Sequence, residues 1–297
     1  MSLSKVHTGE ILILSETFLW GFFPLLCIFT YRFVPPIHTL AWSTFFAALF
    51  FGTLFFFQKK WQELKKRDVW KPILLAAFLI GIIYYAIFFL GMKYSTAGDT
   101  AIMAEMQVWF SFIFFGLVLR QEQYTKSAVA GAALMFLGAL LVLFQGTLEV
   151  GIGELLILLA VAIPPAGNYF QQVARQKVSA VTLMFLRSIL ATPFLFLAAY
   201  FFEANQPNDF SAALPYLLLN GLLLFGFSKI LWIEAIHRIP VAKANSLGTV
   251  QIFLTLAYAY FLFGEQPSFW QLAGLLPMAI GALLILNNNF LKNEVPD

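Results

Sequence analysis

The sequence predicts an all-α integral membrane protein of about ten transmembrane helices, arranged as two inverted five-helix repeats with both termini cytoplasmic. Composition, the spacing of the apolar runs and the placement of basic residues predict it. Of 297 residues, 61% are hydrophobic and 11% charged, against about 25% charged in a soluble domain. Mean hydropathy is +0.82. No soluble fold of this size could hide so much apolar surface, so the lipid bilayer is the first expected partner.

A span needs roughly 20 mostly apolar residues. Runs of that kind fall near 10–31, 37–57, 72–92, 100–119, 127–145, 153–174, 181–202, 214–236, 244–262 and 268–287. Their length argues for helices over the short alternating strands of a barrel. Little chain is left over, so the expected organisation is a tail over 1–9, a first repeat over 10–145, a second over 153–287 and a tail over 288–297. The run from Glu10 to Tyr31 is too long for a cleaved signal peptide and reads as the first span. Cys27 is the single cysteine, which excludes an intramolecular disulfide.

Basic residues set the orientation. Fourteen Lys and Arg fall on the N-terminal side, six of them in the loop from Lys59 to Lys71, and two on the other side, Arg32 and Lys93. Arg187 and Lys229 fall within spans. The N-terminal side is therefore expected to be cytoplasmic, with Trp61 and Trp70 of the basic loop at an anionic leaflet. The net charge of +3 is modest and suggests no nucleic-acid partner.

The chain also repeats. A shift of 143 lays Glu122-Gln123, Gly131, Met135 and Gly138 on identical Glu265-Gln266, Gly274, Met278 and Gly281. Gly9-Glu10 and Gly153-Glu154 correspond at a shift of 144. Five spans per repeat is an odd number, so the second copy enters the membrane inverted. Inverted repeats with a midplane site between them are a recurrent transporter plan.

Both halves resemble the EamA repeat of the drug/metabolite transporter superfamily. The resemblance rests on Arg120-Gln121-Glu122 followed by Gly131 and Gly138, and on Phe263-Gly264-Glu265 followed by Gly274 and Gly281. Trp20-Gly21 and Arg187 also look like family positions, although Ser43 stands where Arg187 aligns in the first repeat. The resemblance implies a carrier of metabolites such as amino acids or amines in a bacterial inner (plasma) membrane. It also implies that Arg187 sits on a peripheral helix, in a structural role.

Ionisable groups in hydrocarbon cost about 2.5–3.5 kcal/mol at mid-helix by insertion scales, which singles out Glu16, Glu105, Arg187 and Lys229. Glu16 and Glu105 read either as ligands for a cation or proton, or as ion-pair partners of Arg187 and Lys229. Lys229 reads as a carboxylate ligand, a snorkelling residue or a neutraliser. Helical spacing sets Trp20 on the face of Glu16, Trp109 on that of Glu105 and Trp232 beside Lys229. Tyr84, Tyr85 and Tyr169 lie mid-span. Aromatic faces around a carboxylate suit an organic cation, although packing accounts for any single pair. Asn168, Gln172 and Asn245 are in-span amides, and Asn168 follows Pro164-Pro165, a break that frees carbonyls. Pro24 is placed to do the same in the first span. The glycines of the fifth and tenth spans read as packing positions, and Glu122 and Glu265 as caps or gates.

No His/Cys metal spacing, phosphate-cradling loop or nucleophile elbow is present, so neither enzyme nor cofactor is expected. The expected function is alternating-access transport of a small polar metabolite, an amine or amino acid, in a cavity lined by spans one, three, four, six, eight and nine. Coupling to protons on the same carboxylates is one option and no coupling another. Exporter, importer and exchanger stay open, as do monomer and homodimer. The alternatives are a carrier of organic anions held by Lys229 and Arg187, or a membrane protein that transports nothing.

Overall fold

A computed structural model describes residues 5–120, 124–144 and 151–286. Ten helical spans within them are long and apolar enough to cross a membrane. Spans 1 to 5 are Lys5–Thr30, Pro36–Phe57, Arg67–Lys93, Ala97–Val118 and Lys126–Phe144. Spans 6 to 10 are Ile152–Arg175, Ala180–Glu203, Phe210–Ile236, Lys243–Phe263 and Phe269–Leu286. Most ends fall within a few residues of the expected ones. The first helix begins earlier, at Lys5, where Glu10 holds both His7 (3.0 Å) and Lys243 (2.6 Å) and so anchors an extra turn. Glu122, Lys292 and the tail over 288–297 lie outside the described residues.

Local chemistry explains the starts. Pro36 opens span 2 at a position whose N–H has no intrahelical partner to lose. Thr96 and Ser179 cap spans 4 and 7, each side chain accepting from the backbone N–H three residues on.

The four most extensive helix contacts each join one repeat to the other: span 5 with 10, 2 with 7, 3 with 6 and 1 with 8. The halves are therefore interleaved, not set side by side. Spans 5 and 10 meet through their glycines. A Cβ on Gly131 would lie 2.5 Å from the Gly281 carbonyl oxygen, and one on Gly274 would lie 2.7 Å from that of Gly138. Only hydrogen fits at these crossings, so the backbones approach closely where lipid supplies no hydrophobic drive. With repeat equivalents 131/274 and 138/281, this contact is symmetric about the axis relating the halves.

Several spans are irregular near their middles. Span 1 turns at Gly21-Phe22 before Pro24, and span 6 turns at Ala162-Ile163 before Pro164. Span 4 is interrupted at Glu105 and span 9 at Thr249. Spans 3 and 8 carry π-helical turns over Ala77–Tyr84 and Leu219–Phe227, equivalent stretches of the two repeats. Irregular backbone at this depth is tolerated where it is buried in protein or lines a cavity. Thr255 of span 9 donates to the Gly21 carbonyl at 2.9 Å, satisfying an acceptor at the break in span 1.

Candidate functional site

The irregular segments surround one central cavity of about 90 Å³, enough for several waters. Spans 1, 3, 4, 6, 8 and 9 contribute to its wall, and span 7 adds Arg187.

Four charged side chains, Glu16, Glu105, Arg187 and Lys229, reach it. Glu16 and Lys229 form an ion pair, Lys229 Nζ donating to Glu16 Oε1 at 2.7 Å. The ammonium also lies 3.2 Å from the centre of the Trp20 ring and 5.9 Å from that of Trp232. Thus the carboxylate-plus-aromatic arrangement of span 1 already holds a cation, the protein's own. Trp20 in turn stacks on Phe23 at 4.2 Å between ring centres, and Phe23 packs against Phe88, Phe89 and Phe225. This aromatic block fixes the indole under the lysine.

Glu105 is different. It is 7% exposed, and Thr249 Oγ1 donates to its Oε2 at 2.9 Å. Among the described residues no cation lies within salt-bridge distance of it and its other oxygen has no protein partner. Beside it Gln107 Nε2 donates to Asn245 Oδ1 at 3.0 Å, and Asn245 Nδ2 to Ser111 Oγ at 2.9 Å. That amide ladder ties span 4 to span 9 across the repeats.

Arg187 is 4% exposed. Its Nη1 donates to Gln171 Oε1 at 2.8 Å, and Gln171 Nε2 donates to Asn168 Oδ1 at 2.8 Å. It reaches the cavity past Gly81, whose missing side chain leaves its Cγ 3.7 Å from an added Cβ. Span 7, which the resemblance places at the periphery, thus contributes Arg187 to the cavity wall.

Of the residues expected at the site, Glu16, Trp20, Tyr84, Tyr85, Glu105, Asn168, Lys229, Trp232 and Asn245 line the cavity. Trp109, Tyr169 and Gln172 do not. The turn at Glu105 breaks the helical register, so four residues on, Trp109 points to span 5 and stacks on Phe136 at 5.0 Å. In span 6 the helix restarts at Pro164, and Pro164, Asn168 and Gln171 share the inner face. Tyr169 turns instead toward Phe114 and Phe170, and Gln172 donates to the Ile236 carbonyl of span 8 at 2.8 Å. Gln171, Gln107 and Gln251 take wall positions that spacing alone did not favour over their neighbours.

The EamA-like transporter family model matches residues 7–144 and again 151–287. The chain belongs to the EamA-like transporter family. It is a multi-pass membrane transporter of a small-molecule substrate, not an enzyme. It is 22% identical to the uncharacterized transporter YoaV of Bacillus subtilis, over 97% of this chain and 96% of the relative. It is 21% identical to the uncharacterized transporter sll1164 of Synechocystis sp., over 77% of this chain and 69% of the relative. A 113-residue stretch is 33% identical to the probable 4-amino-4-deoxy-L-arabinose-phosphoundecaprenol flippase subunit ArnF of Klebsiella pneumoniae, covering 36% of this chain and 85% of that one. One solved crystal structure superposes with a TM-score of 0.72 at 14% identity, over 94% of this chain and 98% of the other, a likeness of fold.

Proposed function

We propose that this transporter is an alternating-access carrier of a small metabolite bearing an ammonium group, an amine or amino acid, which binds in the central cavity. Glu105 carries the reading: a buried carboxylate at a helix break, on the cavity wall, with one hydrogen bond and no paired cation among the described residues. An unpaired carboxylate in a low-dielectric site is costly, and a ligand cation lowers that cost. Tyr84 and Tyr85 supply further aromatic faces on the same cavity wall. An amino group also figures in the name of the flippase relative. Glu16 and Lys229 already neutralise each other, which argues for Glu105 over Glu16 as the ligand.

The repeats over 10–145 and 153–287 would rock about their shared axis, opening the cavity to one side at a time. The excess of basic residues on the N-terminal side supports a bacterial inner membrane with cytoplasmic termini. Glu105 is also the group that would carry a coupled proton.

Uptake into liposomes holding the purified protein tests the reading, with labelled primary amines and amino acids as solutes. Saturable flux in the wild type that falls at least about tenfold in Glu105→Gln, with the variant folded, is expected. Flux that does not saturate removes the carrier; flux unchanged in Glu105→Gln at every concentration removes the carboxylate's role.

A further inference from the structure

The four cavity charges do not cancel in the way their count suggests. Glu16 and Lys229 are paired at 2.7 Å. Glu105 and Arg187 face the same cavity and each lacks an oppositely charged protein partner among the described residues. The Nε–H of Arg187 is buried without an acceptor among the described residues. Its guanidinium donates to the Gln171 carbonyl, an amide held in turn by Asn168, and the Tyr85 side chain lies beside it, also without a formal negative charge. This chain of neutral amides fixes the direction of the guanidinium and leaves its charge uncompensated. A buried cation kept rigid, unneutralised and turned to a cavity suits an oxyanion, and the planar fork matches a carboxylate with two parallel hydrogen bonds.

We propose that Arg187 binds the carboxylate of the transported solute, so that the solute is a zwitterion with its ammonium toward Glu105 and its carboxylate on Arg187. Asn168 and Gln171 are positioning residues for that guanidinium. The proposal rests on the carrier reading above and narrows its substrate class. It also gives Lys229 a different place from Arg187: Glu16 occupies the lysine, and the arginine is the cation left for the ligand.

The test is equilibrium binding to the detergent-purified full chain, read also as thermal stabilisation. The probes are L-alanine, L-leucine and L-phenylalanine, each beside its matching amine, its methyl ester and its deaminated acid. In the wild type at least one amino acid should bind about tenfold or more tightly than its ester, its amine and its acid. In Arg187→Lys, which keeps the charge and loses the fork, and in Arg187→Gln, the preference for the amino acid over its ester should collapse. The comparison of ester with amino acid needs no variant, so it decides the matter even where a substituted chain fails to fold. Equal binding of ester and zwitterion, or a preference that survives Arg187→Gln, overturns the proposal. Glu105-dependent binding of amines with no preference for the zwitterion overturns this inference and leaves the carrier reading standing. Binding of the acids alone, or of none of the probes, overturns both.

Discussion

Thr249 donates a 2.9 Å hydrogen bond to the carboxylate of Glu105, and the two residues stand 144 positions apart, a register that relates the two repeats. Repeat-equivalent residues can touch only near the axis that relates the halves. Each also marks the point where its own helix is interrupted. The carboxylate proposed to meet the substrate therefore sits at the centre of symmetry, and its partner is the residue the second repeat puts in its place. Thr249→Val keeps the shape and removes the donor. A buried hydrogen bond to a charged group contributes about 1.5–3 kcal/mol. Substrate affinity and thermal stability of this variant should both change; unchanged values in both would make the bond incidental.

Glu16 and Lys229 should behave as a unit. Removing one partner of a buried pair costs about 3–5 kcal/mol, because the other charge is left uncompensated. Glu16→Gln and Lys229→Met should each destabilise the protein by that order in detergent unfolding. The double variant should recover most of the loss. Additive losses would show that the two side chains are not coupled.

The crossing of spans 5 and 10 should be intolerant of bulk. Gly131→Val places two methyl groups against the Gly281 backbone, where even a Cβ is too close. Overpacking typically costs about 1–3 kcal/mol, and the melting temperature should fall accordingly. A melting temperature equal to wild type would mean that the helices separate without penalty.

Outside the membrane, Glu63 links the loop before span 3 to the start of span 7. Burial alone would raise its carboxyl pKa, but hydrogen bonds from Thr182 and from the Ser179 amide and hydroxyl outweigh burial and hold it below the usual value of 4.5. A lowered folded value means that its stabilisation is complete above about 4.5 and is lost as pH falls through the lowered value. The melting temperature of the wild type should exceed that of Glu63→Gln at pH 6. The gap should narrow as pH drops below 4.5; a gap that widens on acidification would contradict the assignment.

Much of this architecture was legible because lipid imposes simple rules. Span positions follow from apolar length, and the repeat marks the glycines of spans 5 and 10 as packing positions, although not that they pack on each other. The cavity was legible in part. Glu105 stood out as a charge in an apolar run, but Trp109 did not share its face, since a turn at Glu105 breaks the four-residue spacing that joined them. Nothing in composition announces that turn. Likewise Pro164-Pro165 signalled a break in span 6 without giving the phase of the helix after it, which brings Gln171 inward in place of Gln172. Arg187 was hardest, because its importance depends on which cation Glu16 pairs with. That is a property of three helices distant in sequence.

The interleaving of the halves bears on how the chain is made. Glu16 is separated by 213 residues from the lysine that satisfies it. At ~5–20 residues per second, a ribosome needs on the order of ten to forty seconds to supply Lys229 after Glu16 has emerged. During that interval the newborn first half has spans 2, 3 and 5 in the membrane without their main neighbours, and an acidic group in span 1 with nothing to answer it. Biogenesis thus has a vulnerable window set by topology, in which insertion machinery or lipid must shelter a half-built protein until its mirror arrives.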